Sequence, residues 1–369
     1  MRYMADGALH PGSGGIDVNN AGFGPDNRID NVVIKSINSD GGGAHYPSFG
    51  IRLQNEGAAT VNGVDVTGMM SCIIASPATG QSVQAVKFGA NNYCDAARAN
   101  NIVLQPIGGG YIFDFHLTDM WVTNIGPTNT SGLILDDSRT VPAQLPTNIA
   151  GSIVGVKYMG GSLLSVTGQT GSGVQCAAPS AIDVTISGAS IAGWNAGIDL
   201  APGCSHWNIS NNNSGAFGPF AFPPSVKTNQ IGIRTQGGTS DYLDIHDNNL
   251  FGNTVAALAD SGSSPGSGTH SVFHHNMNAG QSISSTAVGA SPAAICATSH
   301  RDETHSIKQS ASFNAAVTLT NAASGGAGSG PAFGMVTSAA APLTVPLSAN
   351  ECMVVTWSGT EPNDVKTIH

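Results

Sequence analysis

Gly197-Ile198-Asp199-Leu200 is followed 35 residues later by Gly232-Ile233-Arg234-Thr235. The same phrase occurs near the start as Gly15-Ile16-Asp17-Val18 and, again 35 residues on, as Gly50-Ile51-Arg52-Leu53. A looser copy is Gly132-Leu133-Ile134-Leu135. A fixed spacing of roughly 20–50 residues marks a repeat architecture. Each copy is short, alternating and rich in β-branched residues, which fits a strand and not a helical turn. Strands that recur once per coil, with no helix between them, predict an all-β chain: a right-handed, single-stranded parallel β-helix. The gaps of 82 and 65 residues between phrases then each hold two or three coils without the Gly-Ile start.

Composition agrees with this reading. The chain has 369 residues, 48 of them glycine, and 40% are hydrophobic, so a large core is available. Only Cys94-Asp95-Ala96-Ala97-Arg98 and Val255-Ala256-Ala257-Leu258-Ala259 look like short amphipathic helical stretches. The net charge is −10 with no Lys/Arg run, which argues against nucleic acid and anionic membrane surfaces as partners. No apolar stretch approaches the ~20 residues of a membrane span. The N-terminus, Met1-Arg2-Tyr3-Met4-Ala5-Asp6, lacks the apolar core of a signal peptide. Cytoplasmic residence or a non-secretory route, such as assembly into a virus particle, is therefore expected.

Six cysteines are present and none forms a CxxC pair, so no metal or redox site is expected. Cys176 and Cys204 are 28 residues apart, about one coil, and can stack as neighbours. Buried free thiols, packed as small hydrophobes, are the expectation for all six.

Residues 1–14 read as an irregular arm, 15–300 as the parallel β-helix, and 301–369 as a small C-terminal β-domain for capping or trimerisation. In that domain Ala316–Thr320, Phe333–Thr337, Leu343–Leu347 and Met353–Trp357 are strand-like. Three proline-bearing stretches, 136–148, 217–230 and 260–270, should protrude from the sheets, because proline cannot donate to a ladder.

The repeat also predicts which residues meet. Ile198 should stack on Ile233 inside, with Asp199 beside Arg234 outside, and Asp17 beside Arg52. These read as ordinary exposed pairs worth ~0–1 kcal/mol. Aligning residues 207–212, 243–248 and 271–276 stacks Ile209, Ile245 and Phe273 inward. It also makes an asparagine ladder of Asn212, Asn248 and Asn276, because asparagine tolerates the left-handed conformation and its amide can bond the next rung.

The same alignment gathers Asp244, His246, Asp247, His274 and His275 on one face, with His206 beside Tyr242. Imidazole next to carboxylate can act as general acid or base near neutral pH, and a carboxylate pair can hydrolyse a glycosidic bond. Asp244, Asp247 and His246 are the catalytic candidates; Tyr242, His206, His274 and His275 are the ligand-binding candidates. Trp121, Trp194, Trp207 and Tyr242 are the aromatics considered for sugar stacking, with Trp207 falling inward and Tyr242 outward. No motif ties Asp114, Asp119, Asp136, Asp137 or Asp183 to a reaction. The glycine runs 41–43 and 108–110 lack the lysine and helix of a phosphate loop, and no cofactor is expected.

The Gly-Ile-Asp-Leu starts and the strand-turn-Asn texture resemble the pectate-lyase-like right-handed β-helix group. A β-helix without a signal peptide, followed by a small C-terminal β-domain, resembles phage tailspikes and related receptor-binding proteins. The resemblance implies a homotrimer located on the virion or outside the cell. Its implied partners are host surface polysaccharide, bound and sometimes cleaved, its own copies and other virion proteins. Two departures are the lack of a particle-binding head beyond a short arm and a low charged-residue content of 10%. A polysaccharide hydrolase or lyase and a purely structural virion decoration protein are the alternative readings.

Overall fold

In the computed structural model of the chain, the described residues are 2–5, 14–20, 26–36, 46–126, 129–136, 152–168, 170–177, 180–215, 228–236, 240–260, 271–277, 283–287, 293–296, 303–308, 313–321, 332–336, 343–347, 351–359 and 363–368. Most of the three proline stretches, with Asp137, and most of residues 1–14 lie outside this set. The described residues hold strands and no helix. Both stretches read as short amphipathic helices lie on strands, Tyr93–Ala97 and Ala256–Asp260. The chain divides into two compact units: residues 1–244 with 248–270, and residues 245–247 with 271–369.

In the first unit, successive strands visit three parallel sheets in turn, so each strand pairs with its counterpart in the next coil. This is a parallel β-helix. Every copy of the Gly-Ile phrase lands in the second sheet. Ile16, Ile51, Ile73, Ile102, Leu133, Val174, Ile198, Ile233 and Leu258 form one column through consecutive rungs. The gap of 82 residues holds three coils and the gap of 65 holds two, as expected.

The glycine of the phrase has a steric reason. A Cβ on Gly15, Gly132, Gly197 or Gly232 would lie 2.3–2.7 Å from the carbonyl oxygen of the next rung. That is inside van der Waals contact, so only glycine lets the backbone pass. The isoleucine that follows is 0–1% exposed at residues 51, 198 and 233, and its stacking supplies the core. In the third sheet the inward column is Phe88, Leu117, Tyr158, Ile186 and Ile209, all buried.

The asparagine ladder forms, with one change of detail. Asn212 Nδ2 donates to Ile186 O (2.9 Å), Asn248 Nδ2 to Ile209 O (2.8 Å) and Asn276 Nδ2 to Ile245 O (2.9 Å). Asn248 Oδ1 also accepts from Asn212 N and Nδ2, both at 3.0 Å. The left-handed residue is the one before each ladder asparagine: Asn211 (φ 58°), Asp247 (54°) and His275 (52°).

Three expectations are corrected. Four cysteines are disulfide-bonded, Cys72–Cys94 and Cys176–Cys204, in place of free thiols. Coil stacking brings their Cα atoms to 5.6 and 6.4 Å, within bridging distance. Asp17 and Arg52 do form a half-exposed pair, but Asp199 is 3% exposed. It accepts from Arg234 Nε (2.9 Å), Arg234 Nη2 (2.6 Å) and Gln236 Nε2 (2.8 Å). The hydrogen bond to Asp199 holds the Arg234 guanidinium above its ordinary pKa. Finally, Arg2–Ala5 is no irregular arm: it pairs in parallel with Val33–Ser36.

The second unit is largely antiparallel. One four-stranded sheet runs Ile283–Ala287, Asn363–Ile368, Glu303–Lys308, Leu343–Leu347; the other runs Ala293–Cys296, Glu351–Gly359, Phe313–Asn321, Ala332–Val336. Ile307, Val345, Leu347, Met353, Val354 and Val355 are buried there. Residues 283–296, expected to be coil strands, instead pair with Asn363–Ile368 and Glu351–Gly359. Alternation alone does not say which partner a strand takes.

Candidate functional site

In the first unit, the outer face of the third sheet carries Asp114, Asp183, His206, Tyr242 and Asp244 of the residues singled out above. Along the strand Tyr111–Thr118, Ile112, Phe115 and Leu117 are buried, so Phe113, Asp114, His116 and Thr118 face outward. The extra outward residue, Asp114, comes from a left-handed backbone position (φ 55°). Register carries that irregularity from rung to rung. Ala85 (φ 53°), Asp114, Gly155 (73°) and Asp183 (55°) occupy one column. His206 (60°) and Tyr242 (53°) extend it, each directly before the core residue that opens its strand, Trp207 or Leu243. Glycine is the ordinary occupant of such a conformation, and a bulky residue there is an outlier that costs ~1–3 kcal/mol. One rung uses glycine; the others keep a side chain.

At the His206–Tyr242 end, equivalent backbone geometry on adjacent rungs sends the two rings out together. They stack with centroids 4.5 Å apart and an interplanar angle of 10°. Both are exposed, Tyr242 at 46%. Beside them Asn208 Nδ2 donates to Asp244 Oδ2 (3.2 Å), and Ser210 Oγ donates to Asn208 Oδ1 (2.9 Å). This end of the face offers an aromatic plane with amide, hydroxyl and carboxylate groups beside it, the set that holds a sugar ring by its apolar face and its hydroxyls.

Within the second unit, His246 Nδ1 contacts Asp247 Oδ2 at 2.8 Å, and His275 Nδ1 lies 3.8 Å from Asp247 Oδ1. Asp247 owes this position between two imidazoles to its left-handed backbone. Donation of Nδ1–H to Asp247 is the orientation that a neutral imidazole needs if it is to act as a base through Nε2. The side chain of His274 lies outside the described residues. Asp244 belongs to the first unit, and His246, Asp247 and His275 to the second.

Other aromatics are sorted by burial. Trp194 and Trp207 are core, their Nε1 groups donating to Leu163 O and Ala181 O at 3.0 Å. Trp121 is half-buried in the first sheet opposite Tyr93, which is exposed and was not singled out from the sequence. Asp136 accepts from Gln105 Nε2 (2.9 Å). Lys87, His116 and Lys157, not singled out from the sequence, share one row of this face. Their signal is present as Val86-Lys87-Phe88, Phe115-His116-Leu117 and Val156-Lys157-Tyr158, the same apolar-basic-apolar pattern three times. Among the described residues, no group of three His, Cys, Asp or Glu side chains is arranged to hold a metal ion.

No protein-family model and no curated protein matches the chain. Among solved structures, the chain is similar to the tailspike protein of Acinetobacter baumannii bacteriophage Fri1, a capsular polysaccharide depolymerase. The identity is 14% and the TM-score 0.35; the match covers 92% of this chain and 66% of that one.

Proposed function

We propose that this chain is a virion spike or fibre subunit that recognises a host cell-surface polysaccharide through the outer face of its third sheet. The observation that carries the reading is the exposed His206–Tyr242 stack, held by two left-handed, non-glycine residues and flanked by Asn208 and Asp244. Neither ring contributes to the core, and a glycine at either position would relieve the backbone. Surface side chains kept at that cost fit a binding role. Stacked coils supply the rigidity such a role needs. In this reading the particle carries a homotrimer, with the C-terminal unit as its trimerisation segment.

A second reading, cleavage of the bound glycan, is favoured by Asp247 lying between His246 and His275. In it Asp247 orients His246 as base and His275 binds the glycan. The experiment is incubation with capsular and lipopolysaccharide preparations, measuring retained glycan and new reducing ends. Retention lost in Tyr242→Ala supports recognition. New reducing ends abolished by Asp247→Asn support cleavage. No retention on a broad panel, together with firm particle incorporation, returns the chain to a structural decoration role.

A further inference from the structure

We propose that the row Lys87–His116–Lys157 on the outer face of the third sheet binds the carboxylates of an acidic glycan. This deepens the proposed function by naming the chemical class of the ligand, and it rests on that reading. Lys87 pairs in register with His116, and His116 with Lys157, on three successive rungs. The row continues as Thr60 on one side and as Thr185 and Asn208 on the other. Six rungs in a row therefore carry no carboxylate at this position, in a chain with 23 acidic and 13 basic residues.

The second sheet shows how this protein treats cations that serve only structure. There Arg52 sits opposite Asp17 and Arg234 opposite Asp199, each paired with the acid on the adjacent rung. On the third sheet Arg28 is paired with Asp30, but the two lysines of this row do not follow that rule. Among the described residues neither Lys87 nor Lys157 makes a salt bridge. Lys87 is exposed and Lys157 half-exposed, so both ammonium groups reach solvent. Between them, His116 Nε2 lies 2.7 Å from Asp114 Oδ1 without hydrogen-bond alignment. The His116 Nε2 atom is itself buried, so the cations that this row presents to a ligand are the two lysines.

Spacing identifies the ligand further. Rungs are ~4.8 Å apart, so the two lysines stand about 9.6 Å apart along the helix axis. That separation is comparable to a disaccharide unit, so a chain lying along the axis would present its acidic sugars at the lysine period. Phe113, 54% exposed on the same strand as His116, offers a ring face beside the row. The row also lies on the sheet that carries His206 and Tyr242, so one extended glycan can engage both ends.

The test is retention of polygalacturonate and of uncharged dextran by the full chain, over a range of NaCl concentrations. The variants are Lys87→Gln/Lys157→Gln and, separately, Tyr242→Ala. Polygalacturonate should be held, more weakly as salt rises, and about tenfold more weakly by the double lysine variant, from two exposed charge contacts. The melting profile of that variant should be unchanged. Dextran held as well as polygalacturonate, or a lysine variant that binds normally, overturns this inference; loss of dextran binding in Tyr242→Ala would then leave the proposed function standing. A lysine variant that changes sedimentation instead of glycan retention makes the row a contact between copies and also overturns it. Failure to hold either polymer sinks the inference and counts against the proposed function.

Discussion

Asp17 and Asp199 occupy the same place in the same sequence phrase, yet their surroundings assign them different energies. Asp17 faces Arg52 with side chains 38% and 32% exposed. Solvent screening limits such a pair to about 0.5 kcal/mol, so Asp17→Ala should be nearly silent. Asp199 is 4% exposed at its side chain and Arg234 is 26%. Asp199→Ala removes two charge-assisted bonds, one bond from Gln236 and a longer one from Ser172 Oγ, and leaves a largely buried guanidinium without its carboxylate. Breaking a buried pair from one side costs roughly 3–5 kcal/mol; with Arg234 partly solvated, about 3 kcal/mol is expected. Urea unfolding followed by the fluorescence of Trp194 and Trp207, both buried in neighbouring coils, reports the region directly. At a slope near 3 kcal/mol/M, the midpoint should fall by about 1 M for Asp199→Ala and by under 0.3 M for Asp17→Ala. A double-mutant cycle with Arg234→Ala should give strong coupling. Equal shifts for the two aspartates, or additive effects of Asp199→Ala and Arg234→Ala, would refute the reasoning.

Asn248→Ala strips two donors and one acceptor of their partners in the buried ladder, so a loss of about 3 kcal/mol is expected in the same unfolding assay. A loss under 1 kcal/mol would mean that water replaces the amide. The disulfides close spans of 22 and 28 residues, and replacing either pair by serine should cost about 3 kcal/mol on chain entropy. Thiol titration of the oxidised, denatured protein should leave these four cysteines unreactive. Tyr242→Gly and His206→Gly should hold or raise the melting temperature, because they relieve left-handed strain, while reducing glycan retention; a fall in melting temperature would make the stack structural.

Much of the fold was legible because its two strongest constraints leave marks in the sequence. Close backbone approach in the second sheet writes glycine before isoleucine, and the turn after the third sheet writes asparagine. Those marks placed His206 beside Tyr242 in advance. What stayed hidden depends on neighbours that no phrase encodes. Asp199 differs from Asp17 through Gln236 and its buried setting, both supplied by adjoining coils. The 28-residue spacing put Cys176 near Cys204, but spacing alone does not decide between thiols and a bond. At Asp183, His206 and Tyr242 the left-handed column lies one residue before the strands, outside their alternating pattern. Residues 283–296 alternate like coil strands and reveal their antiparallel partners only in three dimensions.

Hydrogen exchange of the full chain with and without host capsular polysaccharide tests the central claim most directly. Protection is expected in residues 111–118, 153–159, 184–187 and 207–210 of the third sheet, with the first and second sheets unchanged. Protection confined to those other sheets, or none at a concentration where polysaccharide is retained, would contradict it.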